Sequence, residues 1–351
     1  MSSLYKRFVI LSALLCAFAV LPTTAWARTV ASIGSKNYTS FASAVKAARS
    51  GQTIKLKSNA TYTGDFKKKV TINLNNKLLK LVKSGTSGMS AYVTNKVNIK
   101  YGTIVGGFYV GKRGDLYLQS VKIKKGQYSR VQIYTEKAGS KLRLQRCSSS
   151  ARLCFAICGN GSNAQFDDCS FTNCKIQVNE NASAKILDGT YKTKNNVYDS
   201  LLGVNATGRL TIKGGKFHCA DSYNPCCSNN GNLAVYGGYF TNDKNGKEIF
   251  SNYGTMKLWG GTAVSKSTYA NNVIVNNSGK FTMTGGKVVS HSTGSWRNCI
   301  LQDGTDGTLT ITGGTIQSDY GRAVSGPKSC ISISGGVKLI VPDGVDPVYY
   351  Y

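Results

Sequence analysis

Three acidic residues and one arginine in the middle of the chain have the types and spacing for carboxylate chemistry. Asp167 and Asp168 are adjacent, Asp188 occupies the position of Asp168 in the next sequence repeat, and Arg146 occupies it in the preceding one. Grouped carboxylate oxygens are the ligands that calcium prefers, so these four residues are candidates for a catalytic site. Alternatively, Asp168 and Asp188 replace the first glycine of a Gly-Gly bend and bond the local backbone.

An aromatic pair follows in the C-terminal half of the chain. Tyr236 and Trp259 occupy the same position in consecutive repeats, and Lys213 and Lys257 flank them. Aromatic rings stack on sugar faces and on bases, and lysine supplies charge for sulfate, carboxylate or phosphate groups. These four residues therefore predict a carbohydrate-stacking ladder. The alternative is a pair of ordinary strand-favouring residues covered by a return loop.

The positive charge of the chain is concentrated in its N-terminal half. Residues 28–152 contain 25 lysines and arginines against 3 acids, a net charge of +22, whereas residues 153–351 contain 17 against 13, a net charge of +4. A field of this size concentrates anionic partners and makes their binding sensitive to salt. The alternative is a basic face that only keeps the protein soluble.

We predict that the basic half binds a polyanion. Nothing in its pattern reads base edges, so we expect an acidic polysaccharide or a cell-surface polymer rather than a specific nucleic-acid sequence. The predicted polyanion-binding residues are Lys112, Arg113, Lys122, Lys124, Lys125, Arg130, Lys141, Arg143 and Arg146.

A short repeat determines where all these side chains must lie. Units such as LTIKGGKF from Leu210, LAVYGGYF from Leu233 and LTITGGTI from Leu309 alternate apolar and polar residues before a Gly-Gly pair, and the units recur about every 24 residues. Alternation marks a strand with one buried face, and the glycine pair marks a sharp bend. We predict an all-β fold, a single-stranded right-handed parallel β-helix of about 12 coils. One outward column then contains Lys100, Gln119, Gln145, Asp167, Leu187, Lys213, Tyr236, Trp259 and Thr284.

The chain ends carry their own signals. Residues 1–27 have a basic start, an apolar run and a small-x-small site, which is typical of a secretory signal peptide, and no later segment is apolar enough to span a membrane. We therefore expect a secreted or cell-surface protein. Residues 28–66 are predicted to form an N-terminal cap with a short helix at about 40–50, residues 67–341 the β-helix, and residues 342–351 a tail.

Ten cysteines follow the predicted leader, and in an exported protein an even number favours disulfides over a zinc site. Cys219 is expected to pair with Cys226 or Cys227 around a short loop. Cys147 and Cys169 share a column in neighbouring coils, where they either form a bridge or belong to a buried stack of small residues. No metal site is predicted from the spacing of the cysteines.

The run SFASAVKAARSGQTIKLKSNATYTG, with KKKVTINLNNKLLKL after it, resembles the start of the pectate-lyase-like right-handed β-helix superfamily. The later LTITGGTI units resemble repeats of uncharacterised bacterial surface proteins of the same shape. Asn76 stands where the family has a glycine, so that turn is expected to differ. The resemblance implies a fold, and for its enzymes it implies cleavage of uronic-acid polymers with an arginine or lysine base and calcium.

Two functions follow as hypotheses. The first is a secreted, non-catalytic β-helix that binds polyanionic polysaccharide or cell-envelope polymer, with adhesion as one use and no cofactor. The alternative is a polysaccharide lyase of the pectate or glycosaminoglycan type, with its base near Asp167 and Asp168 and with calcium as its cofactor. A purely structural surface spike is a third interpretation, which predicts neither binding nor turnover.

Overall fold

The chain is a parallel β-solenoid of about 11 turns, close to the predicted number of coils. The predicted signal peptide, residues 1–27, lies outside the described residues. A computed structural model describes residues 28–82, 89–126, 128–136, 138–179, 181–193, 200–220, 224–243, 246–268, 273–293 and 298–351.

Each typical coil contains three short strands, which stack on the equivalent strands of the neighbouring coils and form three faces of the rod. In the sequence, the alternating run and a second short apolar run before an Asn or Gly turn, as in EIFSNYG and VIVNNSG, predict two of these strands. The third strand follows the Gly-Gly bend. The first face holds the alternating strand of the repeat, in Thr53–Leu56, Val70–Asn73, the first half of Lys96–Val105, the first half of Asp115–Lys124, Lys141–Gln145, Asn163–Asp167, Ser183–Ile186, Arg209–Ile212, Asn232–Val235, Thr255–Leu258, Lys280–Met283, Thr308–Ile311 and Ile331–Ile333.

The second and third faces complete the coil. After the bend, the second face consists of Ala60–Tyr62, Leu78–Leu81, the second halves of the two long strands, Ser148–Ser149, Cys169–Phe171, Gly189–Lys192, Lys216–Cys219, Tyr239–Asn242, Thr262–Ser265, Lys287–Ser290, Thr315–Ser318 and Lys338–Ile340. The third face consists of Ala91–Val93, Phe108–Val110, Val131–Thr135, Leu153–Ile157, Cys174–Val178, Leu202–Val204, Cys227–Asn229, Phe250–Asn252, Val275–Asn277, Ile300–Gln302, Val324–Gly326 and Val348–Tyr350.

A short helix, Phe41–Ala47, lies at the N-terminal end, within the predicted 40–50 range. The side chain of Ser40 accepts a hydrogen bond from the Ser43 N–H and caps the helix, as expected for a serine N-cap. Phe41 and Ala44 are buried in the core, and the Phe41 ring packs edge-on against Tyr62. Beside the helix, Ala31–Ile33 pairs antiparallel with Lys36–Tyr38 and with Thr53–Leu56. At the other end, Lys328–Cys330 forms a 3-10 turn, and Val348–Tyr350, within the segment predicted as a tail, pairs with Val324–Gly326.

The core is a set of apolar columns that run along the rod. Because the strands stack in register without shifts, each inward residue lies on its equivalent in the next coil, and burying each large apolar side chain stabilises the fold by about 1.5–3 kcal/mol. One such column on the first face consists of Val97, Leu116, Leu142, Ala164, Ala184, Leu210, Leu233, Met256, Phe281 and Leu309.

A ladder of buried amides, which the sequence analysis did not predict, runs through the C-terminal half at the end of the third face. Asn229 donates to the Asn252 Oδ1 at 2.6 Å, Asn252 donates to the Asn277 Oδ1 at 2.6 Å, and Asn277 donates to the Gln302 Oε1 at 2.5 Å. The same Nδ2 groups also donate to backbone carbonyls, among them that of Lys280 at 3.2 Å. The ladder satisfies polar groups that would otherwise be costly to bury.

The bend between the first and second faces takes two forms. In the N-terminal coils Tyr101, Ser120, Arg146 and Asp168 occupy it with left-handed φ values of 49–61°. Asn76 is also left-handed at φ 61°, which asparagine tolerates better than most residues. From Gly189 onward glycines occupy the left-handed position.

The Gly-Gly pair at Gly237 and Gly238 shows why both glycines are needed. A Cβ on Gly237 would lie 2.5 Å from the carbonyl oxygen of Lys213 in the preceding coil, and Gly238 has φ 109°. The first glycine therefore permits the close approach of two coils, and the second permits the backbone angle.

Replacing Gly237 with alanine is expected to lower the free energy of unfolding by about 1–3 kcal/mol, because the added methyl group meets backbone that cannot move aside. Urea unfolding followed by circular dichroism measures the change. Gly336→Ala is the matched control, since no atom outside the adjacent residues lies within 4 Å of a Cβ placed on Gly336. Equal unfolding midpoints for the two variants would show that the bend tolerates a side chain.

Candidate functional site

The nine predicted polyanion-binding residues surround two consecutive coils instead of sharing one face. They lie in the turn that precedes the first face, on that face, at the bend, on the second face, and before the third face. All are exposed except Arg143, which is half-buried. In that order they are Lys112 and Arg113; Lys141 and Arg143; Arg146; Lys122, Lys124 and Lys125; and Arg130. We call this group the basic collar.

Arg143 is the most constrained member of the basic collar. Its Nη2 donates to both carboxylate oxygens of Asp115 at 3.1 Å, and its guanidinium lies 5.0 Å from the centre of the Tyr117 ring. Burial raises the pKa of Tyr117, although the positive charges of Arg143 and Arg146 oppose the rise. Arg143 is thus held against the sheet and partly neutralised, which leaves the exposed cations to supply most of the field.

A polar chain links the collar to the candidate acids along the first face. The Tyr117 hydroxyl donates to the Gln145 Oε1 at 2.5 Å, and the Gln145 Nε2 donates to the Asp167 Oδ2 at 3.0 Å. Gln145 and Asp167 are register partners, as the predicted outward column requires. These hydrogen bonds hold the Asp167 carboxylate beside the side-chain amide of Gln145.

Arg146, Asp168 and Asp188 occupy equivalent positions at the bend of three successive coils, as predicted. The Asp188 Oδ1 accepts a hydrogen bond from the Gly189 N–H at 2.7 Å, which is the local backbone bond expected for an aspartate in place of glycine. Asp168 takes the left-handed conformation at φ 49°. Across the ranges that the structure describes, no group of three or more His, Cys, Asp or Glu residues is placed to hold a metal ion.

Tyr236 and Trp259 form the predicted aromatic ladder, and both are partly exposed. Their rings stack at a centroid distance of 4.4 Å and an interplanar angle of 12°, and they are 43% and 39% exposed. The Lys213 ammonium lies 3.2 Å from the centre of the Tyr236 ring, and that of Lys257 lies 5.7 Å from the Trp259 ring.

This stacking limits what the ladder can bind. Lys213 lies one coil before Tyr236 and Trp259 one coil after it, so both faces of the tyrosine ring are covered. Trp259 has the Tyr236 ring on one side and the Lys257 ammonium 5.7 Å from its ring centre, and it is 39% exposed. A sugar can therefore contact Tyr236 only at the edge of its ring.

A second aromatic ladder lies on the third face in the basic half. Tyr92, Tyr109 and Tyr134 are register partners, with ring centroids 4.6 Å and 5.7 Å apart. This ladder lies outside the alternating strand, from which the outward columns were predicted. The repeated apolar-Tyr-apolar pattern of AYV, FYV and IYT would have revealed it.

The cysteines include a bonded pair and several buried thiols. Cys219 and Cys226 form a disulfide with their Cα atoms 5.5 Å apart, which confirms one of the two pairings predicted for Cys219. Cys147 and Cys169 are buried thiols in one column, as in the predicted stack of small residues. A hydrogen bond with Cys147 and burial raise the pKa of Cys169 well above its usual range. Burial raises the pKa of Cys227 to about 12, so this thiol is unreactive at neutral pH.

Fold and site together define the class of the protein, a parallel β-solenoid with a charged N-terminal half and exposed aromatic columns. Comparison of the chain with family models, curated proteins and solved structures gives no match. No helix within the described ranges is long and apolar enough to cross a membrane.

Proposed function

We propose that this protein is a secreted, non-catalytic β-helix that binds polyanionic polysaccharide or cell-envelope polymer through its N-terminal coils. The observation that carries the proposal is the basic collar, in which eight exposed cations project from two consecutive coils. The collar lies within a segment of net charge +22. Such a density of cations attracts polyanions over a distance of about one Debye length, roughly 8–10 Å at moderate salt.

The arrangement of the cations favours a polymer over a small anion. The cations of the collar lie on several faces of the rod instead of converging on one point. A chain with many evenly spaced charges can contact several of them at once, and each added contact strengthens binding without a closed site. A role in adhesion follows from this mode of binding, since one rod can hold a long polymer at the cell surface.

The aromatic columns add contact area for sugar rings. Tyr92, Tyr109 and Tyr134 lie on the third face within the same basic half, and the partly exposed Trp259 lies further along the rod. Aromatic rings gain from contact with the apolar faces of sugars, and this gain does not depend on charge. An acidic polysaccharide has both features, whereas an anion without rings has only one.

The contacts of the candidate acids support structural roles for them. Asp167 accepts from Gln145, and Asp188 bonds its own neighbouring backbone. We propose no lyase site on these residues. Membership of the pectate-lyase-like superfamily and export by residues 1–27 belong to the proposal and rest on the sequence patterns alone.

A panel of polysaccharides tests the proposal. The full secreted chain is incubated with heparin, polygalacturonate and alginate, with and without calcium, and both retention and the ultraviolet absorbance of unsaturated products are measured. We expect retention of acidic polymers without a rise in absorbance. A rise with any substrate would establish lyase activity and contradict the proposal of a non-catalytic protein, and absence of both signals would leave only a structural role for the rod.

A further inference from the structure

A cleft at the C-terminal end of the rod is unused by the proposed function. It has a volume of about 860 Å³ and opens over the last turns of the third face. Leu301, Ser325 and Tyr349 are register partners in one outward column there and line it. Its other lining residues are Asn298, Asp303, Tyr320, Gly321, Arg322, Val345 and Tyr351.

Aromatic side chains form the walls of the cleft. Tyr349 and Tyr351 are 45% and 61% exposed, and their ring centroids lie 6.1 Å apart at an angle of 41°. The Arg322 guanidinium lies 4.3 Å from the centre of the Tyr349 ring, which fixes the orientation of both. Clustered rings of this size on a water-exposed surface are typical of a surface that contacts a ligand with apolar faces.

Hydrogen-bond donors and acceptors line the cleft beside the aromatic rings. Asp303 accepts, Arg322 donates, and the Asn298 amide can do both. Ser325 is only 2% exposed, and its Oγ, like the Arg322 Nε, is shielded from solvent with no hydrogen-bond partner in the described part of the chain. Buried polar groups are normally paired, so these two atoms indicate that the lining has unused capacity for hydrogen bonds.

The charge of the cleft distinguishes its ligand from that of the basic collar. One arginine and one aspartate are the charged residues of its lining, and residues 153–351 carry a net charge of only +4. Burial and the negative charge of Asp303 raise the pKa of Tyr351, and its hydroxyl donates to the Gln302 carbonyl at 3.2 Å, which holds the ring in place at the cleft. A polyanion would gain no net attraction here.

We propose that this cleft binds a neutral saccharide. Sugar hydroxyls both donate and accept, which matches Asp303, Arg322 and Asn298, and the apolar faces of a sugar ring match Tyr349 and Tyr351. The volume falls within the range of about 300–1,000 Å³ typical of small-ligand sites, enough for a short oligosaccharide. This proposal does not rest on the one made for the basic collar, because the residues and the physical forces differ.

Calorimetric titration of the full chain with neutral hexasaccharides of glucose, xylose and mannose tests the proposal. We expect at least one of them to bind, with an affinity that changes less than twofold between about 50 and 500 mM salt, since no counterions are released. Tyr349→Ala and Asp303→Asn are each expected to weaken this binding about tenfold, as loss of a stacked ring or of a hydrogen-bond acceptor does. Asp303 is exposed, so its variant keeps the fold.

Tyr253→Ala is the matched control, because Tyr253 is an exposed tyrosine outside the cleft, and its variant is expected to bind as the unmodified chain does. Absence of binding for all three hexasaccharides would overturn the proposal. Unchanged binding in both cleft variants, or an affinity that falls steeply with salt, would do so as well. Neutralising the collar should leave binding of neutral saccharide intact, so failure here and failure of polyanion binding are separate results.

Discussion

Replacing Asn252 with alanine is expected to lower the free energy of unfolding by about 3 kcal/mol or more, a large effect for a single substitution. Asn252 is fully buried, accepts from Asn229, and donates to Asn277 and to the Lys280 carbonyl. Its removal leaves a donor and two acceptors without partners in the interior, and each such group costs about 1–3 kcal/mol. Thermal and urea unfolding of the variant measure the loss.

Asn205→Ala provides the comparison. Asn205 makes a similar side-chain bond to Asn179, in which its Nδ2 donates at 2.5 Å, but it lies at the exposed surface, where water can replace the partner. We expect a change of at most about 0.5–1 kcal/mol. If both variants lost equal stability, burial of the amide ladder would not be what makes Asn252 important.

Replacing Lys122, Lys124 and Lys125 with glutamine is expected to weaken binding of an acidic polysaccharide roughly tenfold to hundredfold, because each exposed cation near an anionic surface contributes about 1 kcal/mol. All three side chains are exposed at or just after the end of one long strand, so the fold should lose at most about 0.5 kcal/mol of stability. Titration with heparin at low salt measures the affinity.

A matched triple variant in the C-terminal half distinguishes the effect of the collar's own charges on heparin affinity from the effect of the net charge of the protein. Lys216, Lys287 and Lys338 are also exposed lysines, in one outward column of the second face, but they lie in the C-terminal half. Their replacement by glutamine removes the same charge from the chain and is expected to change heparin affinity less than threefold. An equal loss in both variants would assign binding to net charge rather than to the basic collar.

The fold could be predicted from the sequence because its signal is repeated. The apolar alternation, the glycine pair and the spacing recur so often that an error in one unit does not change the register of the others. The outward column from Lys100 to Thr284 follows from strand alternation alone, and its pairing is confirmed coil by coil. The strand after the bend was missed because it has only two to four residues in each turn, too few to show a period.

The sites were predictable only in part, since side-chain contacts depend on more than register. Alternation placed Tyr236 beside Trp259, but the coverage of the tyrosine by Lys213 depends on rotamers that no pattern encodes. The distribution of the collar over several faces follows from the turns, whose geometry varies between coils. The C-terminal cleft combines residues from separate turns and loops, and nothing in the repeat indicates it.

The central claim is that the basic half binds polyanions by charge, and the salt dependence of heparin affinity tests it most directly. Affinity of the unmodified chain and of the Lys122, Lys124 and Lys125 triple variant is measured between about 50 and 500 mM salt. We expect log affinity to fall linearly with log salt for the unmodified chain, and less steeply, by about two to three in slope, for the variant. An affinity that does not change with salt, or identical slopes for the two proteins, would contradict the claim.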